Sequence, residues 1–329
     1  MVSIARNDVF GYPVRARTGP RARAAFDFRI ASAAVCRYCG VVYRRARRFT
    51  TTFPDFSEVS QTTRHRLRVD ATRIDFAGMS LHRTLFSAGF QFRANVAPGS
   101  AVLALTEGQS ALTSHGRPWP ASAFALTGAG GIDAFSLSPA CVVWVEFTAN
   151  RPAIAAGLRG ALASDRGEFF VSDEAAAGRL CRAAQHDSAD LRGAVDGVLA
   201  GGERLAQRVA VVRRYQLVLE AEEFMAKHFG EVPHLDALGA ELGCSARTLI
   251  YAFTQVFGIG PMAYFKLQRL NAIHRQLSAG DGALKISELA PRYGFRHMGH
   301  FSTDYRLMFG RPPSRSRFAR ERPGSSHPA

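Results

Sequence analysis

The clearest hydrophobic rhythm in the chain lies near its carboxyl end. From His234 to Leu242 (HLDALGAEL), Leu235, Leu238 and Leu242 recur at i, i+3 and i+7, the spacing that aligns one face of a helix. Gly243-Cys244-Ser245 interrupts the pattern. Glycine supplies the left-handed backbone of a helix end, and Ser245 is suited to cap the helix that follows. That helix is expected over about 246–257, with Leu249, Phe253 and Val256 inward. The same order returns about fifty residues later. In ISELAPRY, Ile286, Leu289 and Tyr293 share a face, Gly294-Phe295 makes the turn, and a helix over about 298–309 points Phe301, Tyr305 and Phe309 inward. Two short helices joined by a tight glycine turn form a helix-turn-helix, and the repetition reads as an internal structural repeat. Between the pairs, Pro261 to Leu277 reads as one helix with Leu267, Leu270, Ile273 and Leu277 buried. Proline sits at its first turn, where it costs least.

Upstream the rhythm changes. Over 65–150 short apolar runs alternate with turn signals: Leu67-Arg68-Val69, Ile74-Asp75-Phe76, Leu85-Phe86, Gly89 to Phe92 and Ala101 to Leu105. Ala97 to Ser100 and Gly128 to Gly131 read as turns. Cys141 to Phe147 (CVVWVEF) is the strongest strand. This spacing suggests a small barrel or sandwich. Residues 151–208 turn helical, with a short helix expected from Arg151-Pro152 and an amino-terminal cap at Ser172 followed by Asp173 and Glu174. Gly201-Gly202 breaks the chain before a longer helix at roughly 203–228. The expected fold class is therefore α+β. It comprises a basic segment at 1–50, a β-rich domain at 51–200, a connector helix at 201–228, an all-α domain at 229–320 and a disordered tail at 321–329.

Charge adds a partner to this picture. The 329-residue chain carries a net charge of +15. Residues 1–50 hold 11 basic and 2 acidic side chains, residues 51–209 hold 15 of each, and residues 210–329 hold 16 and 10. Basic ends suit a polyanion, because each neutralised phosphate releases condensed counterions. Free use of Arg, which far outnumbers Lys, is the plainer explanation of the same charge. Residues 1–50, densest at Arg44-Arg45-Ala46-Arg47-Arg48, read as a disordered basic arm, a transit peptide, or translation assigned from a start too far upstream. The five cysteines, Cys36, Cys39, Cys141, Cys181 and Cys244, are odd in number and mostly scattered, which fits a reducing cytoplasm better than a disulfide framework. Cys36 and Cys39 lack the second ligand pair a zinc site needs. No run approaches the roughly 18 apolar residues that would cross a membrane.

In these features the chain resembles the AraC/XylS family of transcriptional regulators over roughly 215–320. The resemblance is carried by CSARTLIYAFTQVFGIGPMAYFKLQRLN (244–271) and ISELAPRYGFRHMGHFSTDYRLMFGRPPSRSRF (286–318), above all by Phe309-Gly310 followed by Pro313-Ser314. RLNAIHRQL and GHFSTDY are most similar to the subgroup containing the ethanolamine-operon regulator. The resemblance implies a cytoplasmic, nucleoid-associated activator of promoters. It further implies an amino-terminal effector or dimerisation domain, an unidentified small-molecule effector, double-stranded promoter DNA and RNA polymerase as partners, and a possible homodimer. One departure is Pro291 inside the first helix of the second pair. It removes a hydrogen bond and is expected to kink that helix.

Outward positions follow from the inward ones. In the first unit they are Arg247, Ile250, Tyr251 and Thr254, with Ser245 at the helix amino terminus. Arg247 is the expected base reader, since a guanidinium can grip guanine O6 and N7 together, and Ile250 can pack on a thymine methyl. In the second unit they are His297, Gly299, His300, Ser302 and Thr303, with Arg296 and Arg306 expected on phosphates. His82, His115, Trp119 and Trp144 are candidates for an effector pocket, with core packing the simpler role. No P-loop, dinucleotide fingerprint, G-x-S-x-G or H-E-x-x-H occurs, so neither an enzyme nor a cofactor is expected. DNA-repair methyltransferases that carry such a helix pair use a zinc-bound cysteine, whose companion ligands are absent here. An architectural DNA binder without an effector is the remaining alternative.

Overall fold

The computed structural model describes residues 33–35, 42–45 and 56–316, except 65, 108–110, 121–122, 129, 151, 153, 164–167, 172–173, 187–189, 206–208, 232–233 and 280–284. The Cys36/Cys39 pair and the tail at 321–329 lie outside the described residues.

The β-rich half is a two-sheet sandwich. Its strands are β1 (Ala33–Val35), β2 (Val42–Arg45), β3 (Phe56–Gln61), β4 (Arg68–Phe76), β5 (Met79–Phe86), β6 (Phe90–Val96) and β7 (Ser100–Glu107). They continue with β8 (Leu112–Ser114), β9 (Arg117–Pro118), β10 (Ala123–Thr127), β11 (Gly130–Ser136), β12 (Ala140–Thr148), β13 (Glu168–Val171) and β14 (Glu203–Arg204). A nine-stranded sheet runs β1-β2-β4-β5-β12-β7-β10-β13-β14, and a five-stranded sheet runs β3-β6-β11-β8-β9. Among the described residues the strand pairings are antiparallel except β2 with β4. The unbroken apolar run in β12 has a direct cause: Val143, Val145 and Phe147 face helices, while Val142 and Trp144 face the second sheet, so both faces are buried. The helices on that side are α1 (Ala156–Arg159), α2 (Glu174–His186) and α3 (Leu191–Leu199).

β6 and β11 alternate to a different end. Phe90, Phe92, Ala94 and Ala134 enter the sandwich core, whereas Phe135 joins the core of the helical half. Period-two geometry sends successive side chains to opposite faces, so the five-stranded sheet serves two cores at once. A recess between the sheets is lined by His82, Phe92, Ala94, Val102, Ile132, Trp144 and Glu146. Of the four expected pocket residues it gathers His82 and Trp144. Trp119 packs edge-on to Phe169 at 5.0 Å and donates Nε1–H to the Ala123 carbonyl, and His115 lies against the Gly131 carbonyl at 2.9 Å.

Beyond β14 the chain is helical: α4 (Val209–Lys227), α5 (Leu235–Glu241), α6 (Ala246–Phe257), α7 (Pro261–Ala279), α8 (Ile286–Arg292), α9 (Met298–Phe309) and α10 (Pro313–Ser316). Several expectations are corrected. The connector helix begins at Val209, because Glu203 and Arg204 instead pair with Val171 and Phe170 and close the sheet edge. Residues 33–35 and 42–45, expected to be disordered, form strands paired with each other and with β4. The first short helix opens at Ala156, and Gly130-Gly131 belong to β11 rather than to a turn. Strands β8, β9, β10 and β13 have no counterpart in the sequence reading, being short or rich in Ala, Thr and Ser. Pro291 does not end α8, which runs on to Arg292 and still buries Leu289 and Ala290.

Candidate nucleic-acid interface

The first helix pair is held by close backbone approach. Gly243 takes φ +64° in the turn. At Gly239 an added Cβ would come within 2.6 Å of the Cys244 carbonyl oxygen, so only glycine lets α5 pass the turn at this distance. Ser245 caps α6, its hydroxyl accepting from the Thr248 amide at 3.1 Å. Leu249, Ala252, Phe253, Val256 and Phe257 are buried. The opposite face presents Ser245, Arg247, Ile250, Tyr251 and Thr254, all exposed, with Ile250 at 45% and Tyr251 at 54%. Exposed isoleucine and tyrosine beside an arginine would be costly idle surface, and they suit a partner with methyl groups and anions. The Thr254 hydroxyl donates back to the Ile250 carbonyl at 2.7 Å. The Arg214 guanidinium, from α4, lies 5.0 Å from the Tyr251 ring centre. Arg214 was missed from sequence, since its proximity depends on how α4 packs on α6.

The second pair repeats this plan. Phe301, Tyr305, Met308 and Phe309 are buried, each 52 positions after Leu249, Phe253, Val256 and Phe257. Gly294 takes φ +73°. The turn is one residue longer, and His297 stands at the amino-terminal cap without a capping side-chain bond. Arg296, His297, Gly299, His300, Thr303 and Arg306 are exposed, while Ser302 is only half-exposed.

Helix α7 fixes the second pair in place. Arg269 is nearly buried, with its guanidinium 4.6 Å from the Phe265 ring and 5.0 Å from the Phe295 ring, and it donates to the Tyr293 carbonyl at 3.2 Å. Lys266 pairs with Asp304 at 2.5 Å. His274 stacks on Phe309 at 4.1 Å and bonds the Tyr305 hydroxyl at 2.6 Å. Burial, with Arg311, Arg66 and Arg275 nearby, pushes the His274 pKa down to about 3, so it packs as a neutral ring.

Each pair thus joins two short helices through a glycine turn and leaves one face of its second helix exposed. Residues 238–318 match the family model described as a helix-turn-helix domain. The region is 33% identical over 94 residues to the HTH-type transcriptional regulator ExsA of Pseudomonas aeruginosa, covering 29% of this chain and 33% of that protein. It is 37% identical over 71 residues to the XylDLEGF operon transcriptional activator 2 of Pseudomonas putida, covering 21% of this chain and 45% of that one. A solved structure described as a probable AraC family transcriptional regulator from Rhodopseudomonas palustris is 34% identical, with 31% of this chain and 94% of that chain covered and a TM-score of 0.29. The carboxyl-terminal third therefore contains a helix-turn-helix domain similar to those of these transcriptional regulators. The chain spans about a third of the length of the first curated relatives it matches, 30% and 33%. None of the helices formed by the described residues is long and apolar enough to cross a membrane.

Proposed function

We propose that this chain is a sequence-specific transcription activator in which α6 and α9 are the two recognition helices. The observation that carries this reading is the repeat itself: two helices with matching buried positions, 52 residues apart, both turning polar faces outward. Helix α7, at 19 residues and ~1.5 Å each, is about 28 Å long, close to the roughly 34 Å between successive major-groove faces. Arg247 reads a guanine edge, Ile250 packs on a thymine methyl, and Tyr251 and Thr254 flank them. Ser245 at the helix amino terminus, Arg296 and Arg306 take phosphates, which set register. His297, Gly299, His300, Ser302 and Thr303 form the second reading face, with Ser302 the least accessible.

The β-rich domain holds a small-molecule effector in the recess between its sheets. There His82 Nε2 is buried without a hydrogen-bond partner among the described residues. Burial, aided by Arg73, keeps that ring neutral with a pKa of about 4. A neutral imidazole in an apolar recess is suited to orient a small ligand by one hydrogen bond. RNA polymerase as partner and self-association follow the family pattern, and RLNAIHRQL with GHFSTDY points to the ethanolamine-operon-regulator subgroup. The test is capture of fragments of the source genome by the full chain at moderate salt, followed by sequencing. The expected result is a few strongly enriched sites sharing a bipartite motif. Retained DNA indistinguishable from the input would overturn the reading.

A further inference from the structure

The five-stranded sheet reaches both recognition helices, and it does so at the same place on each. The Thr113 hydroxyl on β8 donates to the Val256 carbonyl of α6 at 3.2 Å, sharing its one hydrogen with the Phe135 carbonyl at 3.3 Å. Gln61 at the end of β3 donates Nε2–H to the Met308 carbonyl of α9. Val256 and Met308 are equivalent residues of the repeat, each the penultimate residue of its helix. Carbonyls in a last helical turn have no amide partner within the helix. The β-rich domain thus supplies a donor to the same orphan group in both units.

The donors are held rigidly. Gln61 is nearly buried; its other Nε2–H goes to the Thr63 carbonyl at 2.6 Å, and its Oε1 accepts from the Leu67 amide at 3.0 Å. Its backbone makes a two-way pair with Asn271 of α7, at 3.1 and 2.8 Å. β3 and β8 are separated by β6 and β11 within one sheet, so at ~4.8 Å per interval the two donors stand roughly 14 Å apart across a hydrogen-bonded scaffold. Beside Thr113, Phe135 packs 4.7 Å from the Phe257 ring.

We propose that the five-stranded sheet is a gauge that sets the spacing and tilt of α6 relative to α9, so that Gln61 and Thr113 are positioning residues for simultaneous two-groove binding. This rests on the function proposed above. Two reading heads held at a matched separation gain affinity through effective concentration, and loosening the gauge loses that gain without altering either head. Arg247, Ile250, Tyr251 and Thr254 of α6 and His300, Thr303 and Arg306 of α9 are exposed while these contacts are made, so the gauged form leaves them available.

The experiment uses the full chain, a duplex selected by it from a random-sequence library, and two derivatives with one or the other half-motif scrambled. In Thr113→Val, and in Thr113→Val with Gln61→Ala, affinity for the intact duplex should fall about tenfold, while affinity for each scrambled duplex stays within about twofold. Thr113→Ser, which keeps the donor, should restore the intact-duplex affinity. Equal losses on all three duplexes, or none, would overturn the gauge. A wild-type chain that selects no motif would instead refute the DNA-reading assignment. A DNA-free measurement then still decides the gauge. Spin labels at exposed positions 255 and 307 should give a distance distribution that broadens in Thr113→Val, and an unchanged one overturns the proposal.

Discussion

Replacing Arg93 by Met isolates the electrostatic part of the joint between the two halves. Arg93, on β6, reaches Glu222 of α4 at 2.6 and 2.8 Å and Asp133 of β11 at 3.5 Å. Tyr215 donates to Asp133 at 2.6 Å, and the Tyr264 hydroxyl lies against Glu222 and 3.0 Å from Gln91 Oε1. Both carboxylates are 11% exposed and Arg93 is 33% exposed. Removing one partner of a fully buried ion pair costs ~3–5 kcal/mol, because the other charge stays uncompensated. Partial exposure of the guanidinium puts the expected loss near the low end, about 3 kcal/mol, or somewhat over a hundredfold in the docked-to-undocked ratio. The Gln61 amide reports docking directly, since its acceptor is the side chain of Asn271 across the joint. Native-state hydrogen exchange at pH 7 should show that amide exchanging about a hundredfold faster in Arg93→Met, with the Val143 amide in the sheet interior far less affected.

Acid should reverse the defect. Burial raises the Glu222 carboxyl above its ordinary value, Arg93 opposes that rise and Asp133 adds to it, so without Arg93 the rise is larger. A carboxyl whose pKa is higher docked than undocked binds more protons when docked. Docking therefore strengthens as pH falls from the docked pKa toward the undocked one, and is weakest, without further change, above the docked pKa. A change under threefold at Gln61, or a defect that deepens on acidification, would show that apolar contacts around Phe135 hold the joint and that the ion cluster contributes little.

Three further outcomes are expected. In binding-site selection, Arg247→Ala should relax preference at one base position by about 1–3 kcal/mol, whereas Arg306→Ala should weaken all duplexes alike and reduce the salt slope by about 0.9; an unchanged profile in Arg247→Ala refutes its role as base reader. Gly239→Ala gains up to ~1 kcal/mol of helix propensity but places a methyl 2.6 Å from the Cys244 carbonyl, an overpacking cost of ~1–3 kcal/mol, so thermal melts should show a lower Tm and a higher one would refute the close approach. His274 is neutral and buried with its pKa near 3, so the unfolded chain binds more protons below about pH 6.5 and stability falls from there toward pH 3; His274→Gln should flatten that decline in denaturant titrations, and a parallel decline would refute it.

The helical half was legible in the sequence because its signals are local. Leu235/Leu238/Leu242 and Ile286/Leu289/Tyr293 mark faces through a 3.6-residue period, and Gly243 and Gly294 mark turns through their own backbone freedom, so α6 and α9 emerge with the expected bounds. Their outward residues follow by subtraction, since a helix with a known buried stripe has one opposite face; Ser302, at the edge of that stripe, is where the subtraction was least exact. Pro291 stands one residue before the end of α8, so little of that helix lies downstream of it.

Tertiary structure alone decided how the halves meet. Arg93 and Glu222 lie 129 positions apart, and Gln61 and Met308 lie 247 apart. No periodicity in the chain relates such residues. The partner of the polar face of β6 was hidden as well: Gln91 and Arg93 meet Tyr264 and Glu222 of the helical half. Pattern records which face of an element is apolar, through the cost of exposing it. It does not record which distant surface completes a polar face, because a hydrogen bond to water and one to a partner domain call for the same residue types.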